Sequence, residues 1–271
     1  MANPPRRASR TQTVRCFRYG KAKISAGNMS KRQEMRERQR RKQSRNRLWV
    51  ILFITIGALL ISLFLILPNL KLSDAGNIIQ ITPISNVVPM KGTSMGSSNA
   101  QVKMDVWEDF QCSGCLSYTK NLEPQILQTY VETGKIYYTF HFFPFIDGGQ
   151  GESHDAANAA MCAAAQGRFW DYHDMLFANW KGENAGSFTQ SRLAAFAQAI
   201  GLDMTSFDKC FQENTYSAQI QQDIDEGSKL GVPPTPGIFV DGKMVVSSAG
   251  KNYIPSFDDI SRAIEAGLSG K

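Results

Sequence analysis

The sequence predicts an α/β fold with a partly parallel sheet and a large helical insertion, preceded by one N-terminal membrane-spanning helix. Three observations carry that prediction. Polar–apolar patterns run in the order strand, helix, strand, long helical block, strand, strand, helix from about residue 100 onward. A strand that feeds a helix and returns to strand requires a crossover, which makes the two strands parallel. Upstream, Leu48–Leu67 is a 20-residue run without a charge, and Thr55 and Ser62 are its only hydroxyl groups.

At about 1.5 Å rise per residue, a helix of that length matches the roughly 30 Å hydrocarbon layer. No polar stripe marks it as a buried core helix. Charge is segregated around it. Residues 1–47 hold 16 of the 30 Lys and Arg against only Glu34 and Glu37, so the arm carries +14 and the remainder −8. A basic run before an apolar span stays on the cytoplasmic side, which places everything after Pro68 outside the cell membrane. Interleaved aromatics are confined to Phe17 and Tyr19, so the arm reads as an orientation signal and a contact for anionic lipid heads of the bilayer, not for nucleic acid. A cleaved signal peptide, cut near Ser73–Gly76, is the alternative. Met29 opens a shorter start, "MSKRQEM".

The expected organisation is a cytoplasmic arm (1–47), a membrane helix (48–67), a flexible tether (68–97) rich in Pro, Gly, Ser and Asn, and a body (98–271) with a helical insertion at about 150–230. In the body, "QVKMDVW" alternates, with Val102, Met104 and Val106 on one face, and reads as a strand. "CLSYTKNLEPQILQTYVETGK" follows as a helix kinked at Pro124. "KIYYTFHFFPF" is β-branched and aromatic, a second strand. An Ala-rich helical block, interrupted at Gly167 and Gly201, fills Ser153 to Leu230. "IFV" and "MVV" flank Asp241-Gly242, a dipeptide suited to a tight hairpin. The last helix opens at Ser256 with Asp259 three residues on, close to a capping box.

Chemistry concentrates in "EDFQCSGC", residues 108–115. Cys112 falls where a strand ends and a helix begins. There the free N–H groups and the positive end of the helix dipole stabilise a thiolate, and a thiolate is the nucleophile of disulfide exchange. Cys115, one turn on, is placed to resolve what Cys112 forms. Leu116 excludes a CxxCH haem site. Zinc would need two further ligands, and His141, His154 and His173 form no second cluster in sequence, so no metal is expected; the histidines read as core or cap residues. A crosslink closing so small a ring would barely constrain the unfolded chain. Cys16 lies on the cytoplasmic arm and is idle. The even number of outer cysteines, Cys112, Cys115, Cys162 and Cys210, suggests pairs.

Three ordered motifs give a resemblance. "DFQCSGC", "AAMCAAAQGRFWDYHDMLF" and "GVPPTPGIFVDGK" are similar to those of the DsbA-like disulfide oxidoreductases of the thioredoxin superfamily, over roughly residues 97–268. The resemblance implies a thioredoxin-like fold with a helical insertion and a cis peptide between Thr235 and Pro236, packed against the active-site pair. It also implies a buried carboxylate, Glu108 or Asp109, that relays the Cys115 proton; a solvated strand end or a cap is the other reading of those two residues. Some relatives pair the cysteines corresponding to Cys162 and Cys210 as a staple; two free buried thiols are the alternative. This chain departs from DsbA between the cysteines. It has Ser-Gly where DsbA has Pro-His, so a less depressed thiol pKa and a less oxidising couple are expected.

The function expected is extracytoplasmic thiol–disulfide exchange on cysteine-containing clients, in the direction of dithiol oxidation, with no soluble cofactor. A membrane partner recycles the pair, and the resemblance implies a quinone-linked one. A reductase or isomerase on the same scaffold, or a non-catalytic module that holds unfolded chains, are the alternatives.

Overall fold

The computed structural model describes residues 31–66, 76–82, 88–147, 151–250 and 254–270. Cys16, the shorter start at Met29 and most of the candidate cleavage segment lie outside them. The chain divides into two units, Met1–Lys71 and Leu72–Lys271.

In the first unit, α1 (Lys31–Ile66) is one continuous helix that includes nearly all of the apolar run. Its described apolar side chains, among them Trp49, Ile51, Phe53, Leu59 and Ile61, are exposed. Among the described residues no helix is long and apolar enough to cross a membrane; the side chains at 48 and 63–67 fall outside the described set.

The second unit is built on six strands: β1 (Met90–Lys91), β2 (Ser94–Met95), β3 (Val102–Glu108), β4 (Ile136–Phe142), β5 (Gly237–Val240) and β6 (Lys243–Met244). They lie in the order β1-β2-β4-β3-β5-β6. β3 and β4 are parallel, from Val102↔Ile136 to Glu108↔Phe142. Every other pairing is antiparallel. Because side chains alternate along a strand, Val102, Met104, Val106 and Glu108 share one face with Ile136, Tyr138, Phe140 and Phe142, and all eight are buried.

The crossover between β3 and β4 is α2 (Ser113–Asn121), α3 (Glu123–Ile126) and a π turn (Leu127–Val131). Pro124 breaks the predicted single helix, since it cannot supply an N–H to the turn before it; α3 restarts with the proline in its first turn. The insertion is α4 (Glu152–Ala164), α5 (Phe169–Ala178), α6 (Gln190–Ala199), α7 (Met204–Gln212) and α8 (Ser217–Leu230), and α9 (Phe257–Ser269) closes the chain. Gly167, at φ 71, makes the corner between α4 and α5. Ser256 and Asp259 cap α9 reciprocally, as a complete capping box. Asp241 and Gly242, both at positive φ, form the β5–β6 turn, although β6 ends at Met244 and the predicted "MVV" strand is shorter than expected. Cys162 on α4 and Cys210 on α7 are joined by a disulfide, with Cα atoms 5.9 Å apart.

The flexible tether at 68–97 is corrected at its C-terminal end. Residues 90–95 form the β1–β2 hairpin, which extends the sheet beyond β4. Ile78, Ile81 and Val88 pack on the core, and the Ile79 N–H donates to Asn179 Oδ1 at 2.8 Å. Strands of two residues are too short for alternation to reveal them, so composition alone made this stretch look like a linker. The body therefore begins before residue 98.

On the other face of the sheet, His141 stacks on Trp107, with ring centroids 4.2 Å apart. Its Nε2 lies 3.1 Å from Asp105 and its Nδ1 3.6 Å from Asp223, which ties β3 and β4 to α8. Burial alone would lower its pKa, but the two carboxylates outweigh burial and raise it to about 9. A raised folded-state value contributes stability that is complete below the unfolded value of about 6.5 and lost as pH climbs through about 9. Stability to urea should therefore fall between those pH values by on the order of 3 kcal/mol. His141→Gln should flatten that limb; a variant with the same slope as the parent would assign the pH dependence elsewhere.

Candidate functional site

The site forms where β3 ends, at the carboxyl edge of the sheet, where open α/β sheets place their ligands. Residues 109–111 leave the strand and Cys112 becomes the N-cap of α2, in an extended conformation. Antiparallel pairing sets the start of β5 beside the end of β3, with Trp107 opposite Gly237. The residues just before β5 are thereby brought to the cysteines. Thr235–Pro236 is a cis peptide, and the Cys112 thiol donates to the Thr235 carbonyl at 3.3 Å.

The two cysteines are free thiols in different surroundings. Cys112 is 8% exposed and Cys115 is fully buried. The Cys112 pKa is lowered to about 6, chiefly by a hydrogen bond from the Cys115 side chain; the N–H groups of Cys115 and Gly114 add to this, while burial opposes it. Cys115 is pushed well above the ordinary thiol range, by burial first and then by its role as donor to Cys112 and the nearby Glu108 charge. Alkylation by iodoacetamide, followed across pH by mass spectrometry, should half-saturate at Cys112 near pH 6 and leave Cys115 unmodified. A midpoint near the free-cysteine value of about 8.5 would remove the basis for Cys112 as the attacking group.

Glu108 and Asp109, unresolved from sequence, separate clearly. Glu108 ends the inward-facing row of β3 and is 1% exposed. Neither of its oxygens has a hydrogen-bond partner of ordinary geometry. Burial raises its pKa well above the carboxylate range, the Glu123 charge adds to that, and the Cys115 thiol partly offsets it. Asp109 is a structural anchor, nearer the cap reading than the relay. It accepts from the Gln111 N–H, the Phe145 and Ile146 N–H groups and the Ser153 hydroxyl, at 2.7–3.1 Å. It thus fixes the loop after β4 and the start of α4 against the CxxC segment.

Sequence reasoning missed three supports. Gln111 is fully buried. Its side chain donates to Ser153 Oγ and accepts from the Asn184 N–H, and its carbonyl accepts from Trp180 Nε1. Glu183, on the same insertion loop, accepts from the Ser113 hydroxyl at 3.3 Å. Glu152 accepts from the Gly186 and Phe188 N–H groups and holds that loop down. No periodicity marks any of them. Gly114 explains the departure from Pro-His in part. A Cβ there would stand 3.1 Å from the Thr235 carbonyl oxygen and 3.4 Å from Cys112 Sγ, so glycine permits the close approach of the Thr235–Pro236 segment.

The aromatic runs are mostly core, with Phe145 exposed. Phe110 stacks on Phe140 at 5.2 Å, and Phe140 meets Phe169 edge-on at 5.3 Å. His154 pairs with Asp147 at 2.8 Å and His173 with Asp174 at 3.0 Å. One constellation could not be foreseen. Among the described residues, Glu108, Glu123 and His173 are the buried acid–imidazole group whose side-chain ligand atoms lie within 4.8 Å of one another.

Comparison with known proteins agrees with this geometry. Residues 90–266 match the family model described as Thioredoxin. A probable disulfide bond formation protein D from Bacillus cereus is 26% identical over 177 residues, which is 65% of this chain and 78% of that protein. The fold is similar to oxidised BdbD from Bacillus subtilis, with a TM-score of 0.59 at 21% identity, covering 72% of this chain and 100% of that one. DsbA from Chlamydia trachomatis gives a TM-score of 0.56 at 21% identity, covering 70% and 99%. A thiol of lowered pKa at the N-cap of α2, one helical turn before a fully buried partner on a sheet of this topology, agrees with these matches: the chain belongs to the thioredoxin family and is a DsbA-like thiol:disulfide oxidoreductase.

Proposed function

We propose that the chain oxidises dithiols in client proteins outside the cytoplasm, anchored to the cell membrane by a helix over 48–67 with its N-terminus inside. The observation that carries the direction is the asymmetry of the pair. A thiolate stabilised at Cys112 favours the reduced enzyme and so makes its disulfide a better oxidant. A client thiolate attacks Cys112 Sγ, the Cys112–Cys115 bond breaks, and Cys115 leaves and takes a proton from Glu108. A second client thiolate then attacks the client sulfur of the mixed disulfide, which forms the client disulfide and releases Cys112 as a thiolate. The client loses two electrons and the enzyme gains them. Thr235, with its carbonyl at the Cys112 sulfur, lines the path by which an extended client would approach beside Pro236, and Phe145, exposed next to the Asp109-anchored loop, offers an apolar contact. The enzyme then needs an oxidant, for which a quinone-linked membrane protein is the partner proposed.

The charge segregation, the continuous α1 helix with its outward apolar side chains and the Cys162–Cys210 disulfide support the extracytoplasmic placement, since disulfides persist in oxidising compartments. Reduction or isomerisation is the second reading. It is favoured by Glu183, whose carboxylate beside the start of α2 opposes a second negative charge there. Incubating the oxidised body with a reduced two-cysteine peptide separates the two. Stoichiometric peptide disulfide, with both enzyme cysteines reduced, is expected. An enzyme that reduces insulin but leaves the peptide reduced would overturn oxidation in favour of the second reading.

A further inference from the structure

Exchange at Cys115 requires a proton to arrive or leave, yet neither Cys115 nor Glu108 touches solvent. A carboxylate buried without a hydrogen-bond partner is costly unless its proton can be shared. The groups around it indicate where that proton goes. Glu123, 4% exposed, and His173, fully buried, each bring a side-chain ligand atom within 4.8 Å of the others' and of Glu108's. His173 Nε2 has no partner. Its Nδ1 bonds Asp174 Oδ1 at 3.0 Å, and the Asp174 side chain is 36% exposed. Glu123 Oε1 accepts from the Tyr138 hydroxyl at 3.0 Å, and Tyr138 meets Tyr118 at 3.3 Å. Every ionisable group facing the cluster is thus placed: Glu108 from β3, Cys112, Cys115 and Tyr118 from the α2 segment, Glu123 from α3, Tyr138 from β4, His173 and Asp174 from α5.

We propose that Glu108, Glu123 and His173 form a proton conduit that connects Cys115 to the surface at Asp174. The inference rests on Glu108 being the group that exchanges a proton with Cys115, and it adds the route by which Glu108 is reset. Burial raises the Glu123 pKa to about 7, with His173 lowering it in part. The Glu123 charge and the Asp174 bond raise that of His173 against burial. Glu123 can therefore take up or release a proton near neutral pH. Glu123 and His173 are positioning residues, since they act on Cys115 through Glu108.

Stopped-flow reaction of the reduced protein with 5,5′-dithiobis(2-nitrobenzoate) reads the step directly. Cys112 thiolate attacks the reagent and releases one nitrothiobenzoate. Cys115 then gives its proton to Glu108 and its sulfur attacks Cys112 Sγ, which breaks the mixed disulfide and releases the second nitrothiobenzoate. Glu108→Gln is expected to slow the second release by about 100-fold, and Glu123→Gln and His173→Gln by about 10-fold each, with the first release unchanged. Asp174→Asn, at the surface and harmless to the core, should move the pH midpoint of the second release to lower pH, and it decides the matter if a core variant does not fold. If Glu108→Gln alone slows the second release and the other three variants keep the parent's rate and pH profile, the conduit is wrong and the Glu108 reading survives. If Glu108→Gln leaves the second release untouched, both fall together.

Discussion

Cys112→Ser should bring disulfide exchange down to the uncatalysed background, whereas Cys115→Ser should leave the first attack intact and stall after it. The difference follows from position. Both sulfurs sit at the start of α2, yet Cys112 keeps 8% exposure where Cys115 has none, and its thiolate prevails above about pH 6 while that of Cys115 is disfavoured by burial. A serine hydroxyl at 112 neither ionises in the working range nor forms a bond to sulfur that can be exchanged. A serine at 115 removes only the group that resolves the mixed disulfide, so the adduct persists. The measurement is insulin reduction followed by turbidity, together with non-reducing electrophoresis of each variant after exposure to a client. Mixed disulfides should accumulate with Cys115→Ser and be missing with Cys112→Ser. Parent-like turnover by Cys112→Ser would assign the fold a holding role and not an exchange role. Adducts on Cys112→Ser would invert the roles of the two sulfurs.

Much of this site is legible in the residues. The position of Cys112 at a strand-to-helix junction follows from where alternation stops and helical spacing starts. The cis peptide at Thr235–Pro236 follows from the family motif, not from periodicity. The choice between Glu108 and Asp109 was also within reach. Extending the alternation of Val102, Met104 and Val106 by one step turns Glu108 inward, and Asp109 then falls on the turn, where a short carboxylate accepts from nearby N–H groups. Ending the strand at Trp107 hid that. Glu123, His173 and Glu183 are different in kind. They reach Glu108 or the start of α2 from α3, α5 and an insertion loop only after those elements have packed on the sheet, so no local pattern contains them. The β1–β2 hairpin was hidden for a related reason: two-residue strands owe their existence to the edge of β4, against which they pair.

Removing the Cys162–Cys210 crosslink is expected to be the most costly change to stability. The two sulfurs close a loop with a sequence separation of 48, and loop-closure entropy for that length amounts to about 4 kcal/mol at 25 °C in the chain-entropy model. The crosslink joins α4 to α7, and α4 also packs on α5, α6 and α8. Its loss therefore loosens the element that carries Ser153 and Glu152, which anchor the CxxC segment and the loop bearing Glu183. Cys162→Ala with Cys210→Ala, compared with the parent by urea unfolding at pH 7 with the active-site pair reduced in both, should lose about 4 kcal/mol with a steeper denaturant slope, since the uncrosslinked unfolded chain exposes more surface. The pH midpoint of Cys112 alkylation serves as the check that the native site still forms at low denaturant. A loss below about 1 kcal/mol would mean that packing, and not the crosslink, limits the unfolded ensemble. In that case the packing of α4 against α5, α6 and α8 would hold the insertion together without the crosslink.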